Sequence, residues 1–170
     1  MTRRITMFFA LALISIGGEL HAEEPITLLD KAWHIGFSNS NAKQQVTEYV
    51  LSGETVENWR ELVTRQILAD PDGTIALDRL AATIRNGFGR DCKDLFWLVV
   101  KSTKTKLVYT WSHKGCARYP AQEERTLLLR VPAGICRWAY VTKNPPLDDA
   151  IVSKLDADLA KQSCDPDHPL

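Results

Sequence analysis

Four cysteines, Cys92, Cys116, Cys136 and Cys164, carry the most chemistry in this chain. Their fates are disulfide, redox pair or metal ligand. Zinc sites and dithiol oxidoreductases usually bring cysteines to C-x-x-C spacing. No such pair occurs, and the histidines do not cluster with the cysteines in sequence. Disulfides are then expected, with three pairings open to four cysteines. The stretches 95–101 and 106–113 read as two strands joined by a short turn at 103–105. In such a hairpin, opposed residues have a constant summed number. Cys92 and Cys116 are symmetric about Lys104, so they form the expected first pair. Cys136 and Cys164 then tie the last strand to the tail, each bond adding about 2–4 kcal/mol.

The other reactive side chains fall short of a catalytic or metal constellation. Asp70, Asp72, Gly73 and Ile75 imitate part of a calcium loop, but a hard cation takes six or more oxygens. The loop's first ligand position is Leu68 and its bidentate glutamate position is Arg79. The segment therefore reads as a turn between helices, capped by Thr74. His34 falls on the solvent face of a strand, His113 ends one beside Cys116, and His168 lies in the tail. Ser112 adjoins His113, yet neighbours along a strand point to opposite faces. Glu57/Glu61 and Glu123/Glu124 are the visible carboxylate pairs for glycosidase chemistry, and both read as solvated charge. No catalytic residue, metal site or cofactor is assigned.

Five tryptophans remain to be placed. Trp33, Trp59 and Trp97 fit core stripes. Trp111, Trp138 and Tyr140, rimmed by Arg137 and Lys143, form a candidate binding surface if they line one exposed sheet face, because aromatics and arginine anchor interfaces. Burial is the competing expectation for rings of this size.

The elements that must position these residues follow from periodicity. Trp33, Ile35 and Phe37 alternate with His34, Gly36 and Ser38, and 45–51 is a second extended run, giving a hairpin across Asn39-Ser40-Asn41. Val56, Trp59, Leu62, Val63 and Ile67 fall at helical spacing behind Thr55 as N-cap. A second helix starts near Thr74, buries Leu77, Leu80, Ala81 and Ile84, and stops at Gly87 and Gly89. The continuous apolar run 95–100 reads as a central strand covered on both faces. The stretches 126–131 and 135–142 form a hairpin across Pro132-Ala133-Gly134. Leu147, Ile151, Leu155 and Leu159 form the stripe of a last helix behind Pro145-Pro146. Strands and helices come in runs, which argues for an α+β fold: a mostly antiparallel sheet of about six strands with three helices packed on it and disulfide staples.

Residues 1–22 read as a cleavable signal peptide. Arg3 and Arg4 precede an apolar run from Met7 to Ile16, and Leu20-His21-Ala22 ends in a small residue. The run is about half the roughly 20 apolar residues a spanning helix needs. The remaining 23–170 then form a single domain with an irregular C-terminal tail. Without Arg3, Arg4 and Glu19 it carries 19 basic and 20 acidic residues, a net charge near −1. No basic block interleaves with aromatics, which argues against nucleic acid. No later run is long enough to cross a membrane. A periplasmic or secreted address in a Gram-negative bacterium is expected.

Glu48-Tyr49-Val50, Gly53-Glu54, Asn58-Trp59 and Glu61-Leu62-Val63-Thr64, with the strand at 134–143, resemble a group of small secreted Gram-negative proteins without an established activity. The order of elements is similar to the PsbP/Mog1-like α/β sandwich. The resemblance supplies no catalytic residues, and fold alone does not fix function. The expected role is an exported, non-enzymatic domain that binds a protein or envelope component, as a secreted factor or a periplasmic inhibitor or immunity protein. The alternatives are a cell-wall or glycan hydrolase using surface carboxylates and a thiol–disulfide envelope protein.

Overall fold

The computed structural model describes residues 25–116 and 119–164. The expected signal peptide, and the end of the tail with His168, lie outside the described residues. Eight strands build one antiparallel sheet: β1 Ile26–Leu28, β2 Lys31–Asn41, β3 Gln44–Val50, β4 Glu61–Ala69, β5 Phe96–Ser102, β6 Lys106–His113, β7 Gln122–Val131 and β8 Gly134–Thr142. Their spatial order is β1-β2-β3-β4-β8-β7-β6-β5, curled into a half-barrel. Helix α1, Leu77–Asp91, joins β4 to β5, and α2, Asp149–Leu159, follows β8. The expected α+β fold of about six strands and three helices is thereby corrected to eight strands and two helices among the described residues.

The main error is the helix expected across 55–67. Its second half is β4, which runs between β3 and β8 over its whole length. Leu62, Val63, Arg65 and Ile67 are all buried. A strand covered on both faces loses its period of two, so its apolar positions also match a helical stripe. β-Branched Val63, Thr64 and Ile67 suit the strand. Val56 and Trp59 belong to the β3–β4 connection and pack on Val50, Leu62 and Val141.

The sheet buries both faces. On one, α2 sets Leu155 and Leu159 against Trp33, Tyr49, Val63, Val108, Leu127 and Trp138. Each such anchor contributes about 1.5–3 kcal/mol by leaving water. Asp148 caps α2 by accepting the Ile151 N–H at 2.7 Å. On the other face, α1 covers Leu107, Tyr109, Trp111, Leu128 and Ile135 with Leu77 and Ala81. α1 runs through Gly87 and Gly89, where it was expected to stop, and ends where the Cys92 N–H bonds the Phe88 carbonyl at 2.9 Å. A Cβ on Gly134 would lie 2.0 Å from the Leu68 carbonyl oxygen, and its φ is +143°, so only glycine lets β8 enter beside β4.

The hairpins at β5–β6 and β7–β8 form where expected, and β2 and β3 pair as expected, but Asn39, Ser40 and Asn41 continue β2 and the turn falls at Ala42-Lys43. Strand β5 does not occupy the expected position. It lies at the sheet's edge, beside β6 alone, instead of at a covered centre. Phe96, Leu98, Val99 and Val100 are 55%, 49%, 45% and 48% exposed.

Candidate functional site

Trp111, Trp138 and Tyr140 do not form an exposed face. Each is 2% exposed or less. Trp138 stacks on Tyr49 with ring centroids 6.1 Å apart, and Tyr140 meets Trp33 edge-on at 6.2 Å. Trp111 lies 4.5 Å from Phe88 of α1. Register separates them further: Trp138 and Tyr140 share the α2 side, whereas Trp111 lies on the α1 side. Lys143, expected at the rim, sits 3.8 Å over the Trp59 ring and donates to the Trp59 carbonyl at 2.8 Å.

Arg137 does pair, inside the sheet. Its Nη2 donates to Glu124 Oε1 at 2.8 Å, and the Thr126 hydroxyl donates to the same oxygen at 2.5 Å. Tyr109 also reaches that carboxylate, at 3.5 Å. Burial works against the Arg137 charge, but Glu124 and Tyr109 hold it protonated more firmly than usual. Burial pushes the Tyr109 phenol up. Glu48 also carries a raised pKa, first from burial, with Arg137 opposing and Glu57 adding to the rise. These residues brace β3, β8, β7 and β6 from within. Glu124 is 5% exposed, so it is not the solvated charge expected. Glu123 accepts the Leu147 N–H at 2.9 Å. Successive strand residues point to opposite faces, so Glu123 and Glu124 do not converge on one substrate. Glu61 pairs with Lys31 from β4, not from a helix.

The acidic turn joins β4 to α1 and holds its own cation. Asp70 accepts the Thr74 N–H at 2.9 Å and the Ile75 N–H at 3.1 Å, and pairs with Arg130. Burial alone would raise its carboxyl, but Arg130 and these N–H donors hold it below its ordinary range.

Both expected disulfides are present, Cys92–Cys116 and Cys136–Cys164, with Cα–Cα distances of 5.1 and 5.8 Å. The histidines were expected not to cluster with the cysteines, but His113, three residues before Cys116, is a third member of the first site. His113, 4% exposed, lies with one ring nitrogen and both sulfurs all within 4.8 Å of one another. The ring stacks on Trp111 at 5.7 Å, and its Nδ1 accepts the Gly115 N–H at 3.1 Å. Burial lowers its pKa, with Asp94 pulling the other way.

The exposed apolar chemistry gathers at β5. Phe96 and Leu98 oppose Ser112 and Thr110, and Lys101 opposes Val108; the register slips between Val99 and Lys101. Beside this edge a cleft of about 220 Å³ opens toward α2. Val108, Leu127 and Leu159 give it apolar walls, with Lys101 and Lys106 also lining it. Arg125 is already paired to Asp156, with contacts of 2.8 and 2.6 Å. Lys101, Lys104 and Lys106 make no ion pair among the described residues. A more open cleft of about 400 Å³ lies near His34, Gly36, Val50 and Glu54. Its carboxylate, Glu54, is bound by Arg60 at 2.7 Å.

No protein-family model, curated protein or solved structure matches the chain. No helix among the described residues is long and apolar enough to cross a membrane.

Proposed function

We propose that this is an exported, non-enzymatic domain that binds a protein partner through the β5 edge and the adjoining β5–α2 cleft. The observation that carries the reading is the row Phe96, Leu98, Val99 and Val100, about half exposed on a strand with one neighbour. Isolated exposed apolar residues are ordinary, but a contiguous set marks an interaction site. An edge strand left unguarded invites pairing with another chain. Here the slip in register and Lys101 limit edge-to-edge pairing to the Phe96 end. The lysines set the partner's chemistry: an extended segment with apolar side chains for the strip and cleft, and acidic groups for Lys101, Lys104 and Lys106. This combines strand addition with recognition of acidic groups.

A random-peptide display library panned on the purified protein tests the reading. Enrichment of segments mixing apolar and acidic residues, lost when Leu98→Asp replaces the wild type, is the expected result. No enrichment contradicts it. A concentration-dependent dimer abolished by Leu98→Asp would assign the edge to a second copy and also contradict it.

A further inference from the structure

The corner formed by the end of α1 and the exit of β6 holds a donor set that the binding reading does not use. Cys92 follows the last turn of α1, His113 ends β6, and Cys116 lies three residues on. His113-Lys114-Gly115-Cys116 places an imidazole and a thiolate at ligand-x-x-ligand spacing, the spacing usual within structural zinc sites. Gly115, with φ of +112°, supplies the left-handed backbone that folds this segment tightly. The long-range donor, Cys92, arrives from α1 across the β5–β6 hairpin. One nitrogen and two sulfurs within 4.8 Å of one another make a compact set. A thiolate–imidazole set of this kind suits zinc or cobalt better than magnesium or calcium.

We propose that opening the Cys92–Cys116 disulfide converts this corner into a site for one thiophilic divalent cation, held by Cys92, Cys116 and His113. A dithiol reductant supplies the two electrons. The Cys92–Cys116 bond breaks, two thiols form, and the reductant becomes a disulfide. On metal binding each thiol gives up its proton to solvent, so one cation enters as two protons leave. Three protein ligands leave the fourth tetrahedral position to water. The ring cannot ligate while Nδ1 accepts from Gly115. Ligation through Nδ1 displaces that N–H, and ligation through Nε2 puts the ring's own proton on Nδ1. Metal binding must therefore break the Gly115 contact in either case.

The test is cobalt(II) titration of the full chain after reduction with a phosphine and anaerobic desalting. Peptide mapping identifies which cysteines are open, and circular dichroism follows the fold. The expected result is one equivalent of cobalt with thiolate charge-transfer absorption and tetrahedral visible bands, displaced by zinc, and a large shift of the Gly115 amide resonance in the zinc form. Cys116→Ser removes the charge-transfer pattern of two thiolates. His113→Ala weakens binding at least about tenfold, a loss already typical for groups that merely orient a ligand. A Cys136→Ala/Cys164→Ala variant keeps the site. No cobalt spectrum from the reduced wild type, folded or unfolded, overturns the proposal. So does binding unchanged by both His113→Ala and Cys116→Ser, or binding lost with Cys136 and Cys164.

Discussion

Cys92 and Cys116 face each other across the base of the β5–β6 hairpin, with Cα atoms 5.1 Å apart. The pairs Phe96↔Ser112, Trp97↔Trp111, Leu98↔Thr110 and Val99↔Tyr109 carry the same register toward the turn. The bond fastens the edge strand's entry to its partner's exit. That restraint holds in place an edge strand whose Phe96, Leu98, Val99 and Val100 are half exposed.

The Glu124–Arg137 pair gives the first prediction. Removing one member of a buried pair leaves the other charge uncompensated, at a cost of about 3–5 kcal/mol. Glu124→Ala therefore lowers the urea midpoint sharply, because Arg137, Thr126 and Tyr109 all lose their common acceptor. A Glu124→Leu/Arg137→Met double variant recovers much of the loss. Equal destabilisation by the single and double variants would contradict the role given to the pair.

Glu48 gives a pH dependence of opposite sign to the usual carboxylate. Burial raises its folded pKa, and Glu57 adds to the rise while Arg137 opposes it. Its contribution is present below the unfolded pKa near 4.3 and is lost as pH rises through the folded value. Glu48→Gln thus raises the melting temperature at pH 7 and has little effect at pH 4. Thermal unfolding at both pH values checks the sign, and a larger effect at pH 4 would refute it.

Gly134→Ala tests the close approach of β8 to β4. The new Cβ meets the Leu68 oxygen at 2.0 Å and the Asp70 nitrogen at 2.6 Å, on a backbone that L residues avoid. The expected loss exceeds about 1 kcal/mol in chemical denaturation. A neutral result would mean that the β7–β8 turn is not held as described.

The second disulfide spans 28 residues and anchors the chain after α2 to β8. Cys136→Ala/Cys164→Ala should cost about 2–4 kcal/mol. Hydrogen exchange should loosen α2 first, because Leu155 and Leu159 pack in the same cluster as Cys136.

The β5–β6 and β7–β8 turns, α1, α2 and the disulfide pairing were legible because each depends on spacing within a few dozen residues, whereas the polar Asn39-Ser40-Asn41 read as a turn and is the exposed end of β2. Strand β4 was not legible. Its two neighbours come from opposite ends of the chain, and full coverage erased its alternation. The same limit hid the site. The run 95–100 reads identically as a covered central strand or a bare edge, and only its position in the sheet order separates them. Glu124 looked like solvated charge and Arg137 like the rim of a binding surface, since burial of a charge is decided by partners on other strands. His113 beside Cys92 and Cys116 gave one local sign, the H-x-x-C spacing.

The most direct measurement titrates the best-enriched peptide, fluorescein-labelled, against the wild type, Leu98→Asp and Lys101→Glu/Lys106→Glu, read by anisotropy. Leu98 is 49% exposed and outside the buried core, and circular dichroism of each variant checks that the fold is kept. At least about a tenfold loss of affinity is expected in each variant, which is about 1.4 kcal/mol. Binding by the lysine variant should also depend less on salt. Equal binding by all three proteins would contradict the placement of the partner on β5.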